Sequence, residues 1–161
     1  MTQINSFAAC ACKTLQRILA TTEHEGMAQF SLTDDLYTGS SLIDGDHHRL
    51  AELVNAFFES MQNGENGERM SKTLHALIGF TGEHFAREEA EMDRIRYVAT
   101  LAHKAEHTKL LKQIVELNEM LDAGGKINVP AVAEFLSEWL RGHILAADMK
   151  FAAALKQQKT A

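Results

Sequence analysis

A single proline, Pro130, stands in 161 residues, so little interrupts backbone hydrogen bonding and long helices are easy to build. Cysteine is nearly as scarce. Cys10 and Cys12 lie one residue apart, which gives no disulfide framework and fits a reducing cytosol, hence a cytoplasmic protein. As a metal motif the Cys-x-Cys pair alone lacks enough ligands. Basic charge is in deficit: 16 Lys and Arg against 22 Asp and Glu leave a formal charge of -6. A nucleic acid or an anionic membrane would require a basic face, so neither is expected as a partner. No apolar run approaches the ~18 residues of a membrane span. SFAACAC near the start is apolar but short, with no lysine or arginine before it, and makes a poor signal peptide.

What the chain does have is helical periodicity. The expected fold class is all-α, an up-down-up-down antiparallel four-helix bundle preceded by an N-terminal extension. Residues 1–26 form that extension, either poorly ordered or a short amphipathic helix with Phe7, Ala11, Leu15 and Ile18 on one face. Residues 27–161 form the single domain, which opens with a lead-in loop from Phe30 to about Ile43. A first helix is expected from about Asp44 to Met61, then turn chemistry at NGENGE, then a second helix from about Glu68 to Met92. A third runs from about Thr100 to Leu121 and ends at Gly124 or Gly125, with Asn128 as N-cap of the next. The fourth starts near Pro130 and reaches at least Ala146.

Histidine is the conspicuous excess. Five histidines and two carboxylates are spread over the four helices: His47; His84 with Glu88; His103 with His107; and His143 with Asp148. His84 and Glu88, and likewise His103 and His107, are four residues apart and share a helix face. One such pair by itself is more often incidental than metal-binding. The joint pattern, with each helix contributing at least one imidazole or carboxylate to a common interior, matches how bundles build metal sites. Imidazole with carboxylate suits a borderline transition metal such as iron. Seven ligands are too many for one tetrahedral ion and about right for two metals sharing the carboxylates Glu88 and Asp148.

His143 and Asp148 raise a geometric problem. Five residues at ~100° each leave them about 140° apart on a regular α-helix, too far round for one site. The spacing therefore predicts a wide π-type turn or unwinding within 143–149. His48 and His75 fall on outward faces, and His24 lies in the extension. Glu83, Glu89, Glu91 and Glu106 read as solvated surface charges.

The segments LIDGDHHRL, FTGEHFAREEAEM, HKAEH and WLRGHILAAD resemble the bacteriohemerythrin branch of the hemerythrin family, from about Phe30 to Phe151. The resemblance implies two iron ions, non-haem and oxo- or hydroxo-bridged. It assigns His103, His107 and His143 to one iron and His47 and His84 to the other, with Glu88 and Asp148 bridging. It implies reversible O2 binding at an open position of the two-histidine iron, and so an oxygen carrier, store or delivery protein rather than an enzyme. Leu50, Phe85, Trp139, Leu140 and Ile144 match the apolar oxygen pocket. O2 is the implied partner, with an oxygen-requiring enzyme as a candidate recipient. The competing functions are a di-iron enzyme of peroxide or nitric oxide detoxification or iron-centre repair, and an oxygen or iron sensor module. Three positions depart from the family: Leu32 for a usual tryptophan, Asp46 for a frequent glutamine, and Val98 for a frequent proline.

Overall fold

In the computed structural model the described residues are 29–64, 67–124 and 128–159. Residues 1–26, with Cys10, Cys12 and His24, lie outside them, as does Gly125. Four long helical segments carry the described chain, without strands: α1 over Ser41–Gln62, α2 over Gly67–Ile95, α3 over Thr100–Asp122 and α4 over Val129–His143. A π-helical turn, Ile144–Asp148, joins α4 to a further helix, α5, over Met149–Lys159. Consecutive helices are joined by short connections and run antiparallel, α1 packing on α2 and α4, and α2 on α3. This is the expected up-down-up-down bundle.

Helix ends follow local chemistry. Asn128 accepts a hydrogen bond from Ala131 N at 3.0 Å, capping α4 just before Pro130. Gly124 takes a left-handed φ after α3, where only glycine is unstrained. At the end of α2 the same conformation falls on Arg96. It lies in a Schellman motif, with Tyr97 N bonded to Met92 O at 2.9 Å and Arg96 N to Asp93 O at 3.2 Å. Tyr97 and Met92 pack together in one small apolar cluster, which holds this left-handed arginine in place.

The helices are somewhat longer than their periodicity indicated. The first begins at Ser41 rather than Asp44, because Asp44 turns back to accept from Thr38 N, Thr38 Oγ1 and Gly39 N at 2.7–2.9 Å and stabilises the entry turn. The expected structureless lead-in also contains a 3-10 turn, Asp34–Leu36, which buries Leu36. Arg141 of α4 pins this segment through Asp35 at 2.6 Å. Leu32, the residue in place of a tryptophan, lies partly buried against the main core.

Two apolar clusters flank one polar layer. The larger fills most of the bundle with Leu50, Val54, Phe57, Leu74, Leu77, Ile114, Leu117, Val132 and Leu136 among others. Each fully buried side chain of this kind contributes about 1.5–3 kcal/mol by removal from water. The smaller cluster, Ile43, Met92, Ile95, Phe151, Ala152 and Leu155, closes the bundle end where α1 and α3 begin. Between them lie all seven histidines and carboxylates singled out in the sequence.

Candidate metal centre

Every one of those seven residues is buried: His47, His84, Glu88, His103, His107, His143 and Asp148 are each at most 4% exposed. Their donor atoms converge in two groups, within each of which the atoms lie within 4.8 Å of one another. Glu88, His103, His107, His143 and Asp148 form one; His47, His84, Glu88 and Asp148 form the other. The carboxylates belong to both. Asp148 spans the groups physically, Oδ2 standing 3.0 Å from His47 Nε2 while Oδ1 stands 3.1 Å from His103 Nε2 and from His143 Nε2. Glu88 Oε2 lies 3.3 Å from His107 Nε2 and 3.8 Å from His84 Nε2 and His103 Nε2.

The π-turn is what allows this. Over Ile144–Asp148 the helix widens, and Asp148 returns to the side of His143 despite the five-residue spacing. The extra residue is absorbed on the outer side, where Leu145 and Ala146 face solvent while Ile144, Ala147 and Asp148 are buried. α5 then continues into the small cluster through Phe151, Ala152 and Leu155.

The donor set fits metal cations and fits poorly with itself. Buried polar atoms are normally hydrogen-bonded, yet both oxygens of Glu88 and Nε2 of His84 are sealed from solvent and make no hydrogen bond among the described residues. His107 Nε2 faces His143 Nε2 at 3.1 Å, so without a cation between them one of the two nitrogens must carry a proton. Burial, reinforced by the charge of Asp148, pushes the Glu88 carboxyl up to about 7. Burial, with the neighbouring histidines, takes His107 down to about 4. Burial opposes charge on His143, but Asp148 outweighs it and raises that imidazole to about 10. Asp148 itself is held well below the usual carboxylate range: burial works against ionisation, and His143, His103 and His47 overcome it. Cations at the two convergence points would leave all five imidazoles neutral and both carboxylates ionised, the states that metal ligation requires.

Two outer nitrogens are supported by residues the sequence did not mark. His107 Nδ1 stands 3.0 Å from Glu89 Oε1, and His143 Nδ1 stands 3.6 Å from Glu106 Oε1. The reading of Glu89 as a plain solvated charge is therefore corrected, while Glu106 stays half-exposed and too far from His143 Nδ1 for a direct hydrogen bond. Glu89 lies at the rim with one oxygen turned inward, and only the interhelical approach of α2 and α3 reveals it. Asp46 does not act at its neighbour His47. It reaches across to α2, where Oδ2 stands 3.2 Å from His84 Nδ1 and accepts from Arg87 Nε at 2.9 Å. Burial alone would raise the Asp46 carboxyl, but His84 and Arg87 lower it to about 2. A carboxylate on the far nitrogen of a ligating imidazole fixes its tautomer and strengthens it as a donor. Among the other acids, Glu91 pairs with Arg94 at the surface and Glu83 lies 3.7 Å from Arg87. His48 is exposed. His75, also at the surface, belongs to a polar cluster with the buried Ser71 and Asn118 that bridges α2 and α3.

Leu50, Phe85, Trp139, Leu140 and Ile144 are all buried in the main apolar cluster next to the donor layer. Phe85 stacks on the His107 ring, centroids 3.8 Å apart and planes within 6°, and meets His143 edge-on at 5.5 Å. The Trp139 indole donates to Leu110 O at 3.3 Å, so its polar edge is satisfied away from the site.

Fold and site together define a helix-bundle protein with a buried imidazole–carboxylate cluster whose donors could hold metal. The chain belongs to the hemerythrin family: it matches the hemerythrin HHE cation binding domain over residues 38–155. It is 30% identical to the bacteriohemerythrin of Pseudomonas paraeruginosa over 130 residues, covering 81% of this chain and 84% of that one. With the bacteriohemerythrin of Methylococcus capsulatus it shares 31% identity over 118 residues, 73% of this chain and 89% of the relative. Among solved structures it is similar to wild-type hemerythrin, with a TM-score of 0.72 at 31% identity, over 80% of this chain and 98% of that one. A hemerythrin mutant matches alike, with a TM-score of 0.73 and 30% identity, over 80% of this chain and 98% of that one.

Proposed function

We propose that this chain binds O2 reversibly at a pair of iron ions and acts as a non-enzymatic carrier, store or delivery protein. The observation that carries this reading is the unequal division of the donors. One group has three imidazoles and the other two, while Glu88 and Asp148 serve both. His103, His107 and His143 would hold one ion and His47 and His84 the other, and the group with fewer imidazoles would leave more room for a ligand. Iron, when bound there, would supply the redox-active centre for O2.

The protein's own contribution is to position and to exclude. The outer carboxylates Asp46 and Glu89 orient the His84 and His107 imidazoles from behind. Leu50, Phe85, Leu140 and Ile144 keep water and stray protons from the ligand side, which favours release of O2 over irreversible oxidation. None of the described helices is long and apolar enough to cross a membrane. The scarcity of cysteine supports a cytoplasmic setting. An oxygen-requiring enzyme is a suitable recipient for the cargo.

The test is to determine iron content per chain and then follow the absorption spectrum of the reduced protein as air is admitted and removed. Two irons per chain and a charge-transfer band that rises in air and fades on degassing are expected. Rapid one-way oxidation with turnover of added peroxide or nitric oxide would replace carriage with catalysis.

A further inference from the structure

Thr81 is the odd residue in the layer above the donors. Moving one helical turn from the ligands toward the main core, the helices present Leu50 after His47, Leu110 and Leu111 after His107, and Leu140 before His143. On α2 the matching position, three residues before His84, is Thr81. It is fully buried, and Oγ1 has no hydrogen-bond partner among the described residues. The other helical threonines behave differently. Thr73, Thr100 and Thr108 each donate their hydroxyl to a backbone carbonyl three or four residues back, at 2.6–3.0 Å, an ordinary arrangement for a helical threonine. Thr81 lies seven residues before Glu88, which places it within about 20° of the same direction on α2. Its side chain thus belongs to the inward face that carries the site.

Metal ions would satisfy the atoms of His84 and Glu88 that lack a hydrogen bond, but the hydroxyl of Thr81 is a turn further along and not a ligand of the centre. A buried hydroxyl left without a partner is costly. We propose that Thr81 is a specificity-determining residue of the ligand pocket. Its Oγ1 hydroxyl donates a hydrogen bond to a small ligand admitted to this otherwise apolar layer, so that ligands bearing an acceptor atom, small linear anions above all, are held in preference to apolar ones. The proposal rests on the reading of the site as a di-iron centre with one open position.

The experiment compares the full-length wild type with Thr81→Val, which keeps the shape without the hydroxyl, and Thr81→Ser, which restores it. Azide is titrated into the oxidised, iron-loaded proteins and followed by absorbance, with iron content measured in parallel. Thr81→Val is expected to weaken azide binding about tenfold, the loss of one hydrogen bond to a charged group, and Thr81→Ser to recover most of it. In the metal-free state Thr81→Val should melt no lower than wild type, because an unpartnered hydroxyl is replaced by a methyl group. Equal azide affinity in wild type and Thr81→Val, at equal iron content, overturns the role of Thr81 and leaves the di-iron reading standing. A wild-type chain that takes up no iron overturns both.

Discussion

Asp148 Oδ1 stands 3.1 Å from His143 Nε2, although the two residues are five positions apart and a regular helix would turn them away from each other. The π-turn Ile144–Asp148 closes that gap, and through the same side chain His47 of α1 is reached at 3.0 Å. One added residue in one helix thereby connects three helices around the centre.

Deleting Ala146, on the solvent side of the wide turn, should convert it to a regular α-turn with His143 and the aspartate at i, i+4. Metal content is then expected to stay near the wild-type value. An alanine inserted after Ala146 instead rotates Asp148 by ~100°, and one of the two ions should be lost. Elemental analysis of both variants distinguishes these outcomes.

The outer carboxylates should act on metal affinity. Asp46→Asn and Glu89→Gln each remove the ionised partner of a histidine Nδ1, and each is expected to weaken metal binding by about 10–100-fold. Competition against a chelator measures it. The thermal midpoint of metal-free Glu89→Gln should move little, whereas that of metal-free Asp46→Asn should also fall at neutral pH, because His84 and Arg87 hold the Asp46 carboxyl down at about 2 in the folded chain. An unchanged chelator curve would show these contacts to be incidental.

Glu88 gives a pH signature in the metal-free protein. Its carboxyl is raised from 4.5 to about 7, first by burial and then by Asp148. The folded state therefore holds this proton more tightly than the unfolded one. Glu88 thus favours folding below pH 4.5 and loses that advantage as pH rises to about 7. Glu88→Gln does not titrate. Its stability relative to wild type should climb between pH 4.5 and 7 and level off above. With metal bound the order reverses, because the ionised carboxylate becomes a ligand. Denaturant unfolding of both proteins across that range, with and without iron, tests the sign.

Phe85 couples the apolar layer to the centre through its stack on His107. Phe85→Ala should cost about 3–5 kcal/mol of stability, as other buried phenylalanine truncations do. Phe85→Leu retains most of the volume and should fold nearly as well, while oxidising faster in air because the imidazole loses its stacked partner and water gains entry. Denaturant midpoints and the decay of the oxygenated spectrum report the two effects separately.

Much of the fold and the donor set was legible because both rest on periodicity. The 3.6-residue repeat marked the four helices, the HxxxE and HxxxH spacings put donors on single faces, and the five-residue gap foretold the irregular turn at Ile144–Asp148. Asn128 and Gly124 were readable as helix ends for local chemical reasons. Glu89 and Asp46 were not legible in the same way. Each lies on the flank of its own helix, and its histidine is on a different one.

The sequence by itself thus determined which side chains could ligate and which way each helix must face, since these depend on residue type and the fixed turn of the α-helix. Only the tertiary structure decided the distances within the donor set, the carboxylates that stand behind the His84 and His107 rings and the isolation of the Thr81 hydroxyl. Those are distances between helices, set by how the flanking apolar clusters pack, and no spacing along the chain encodes them.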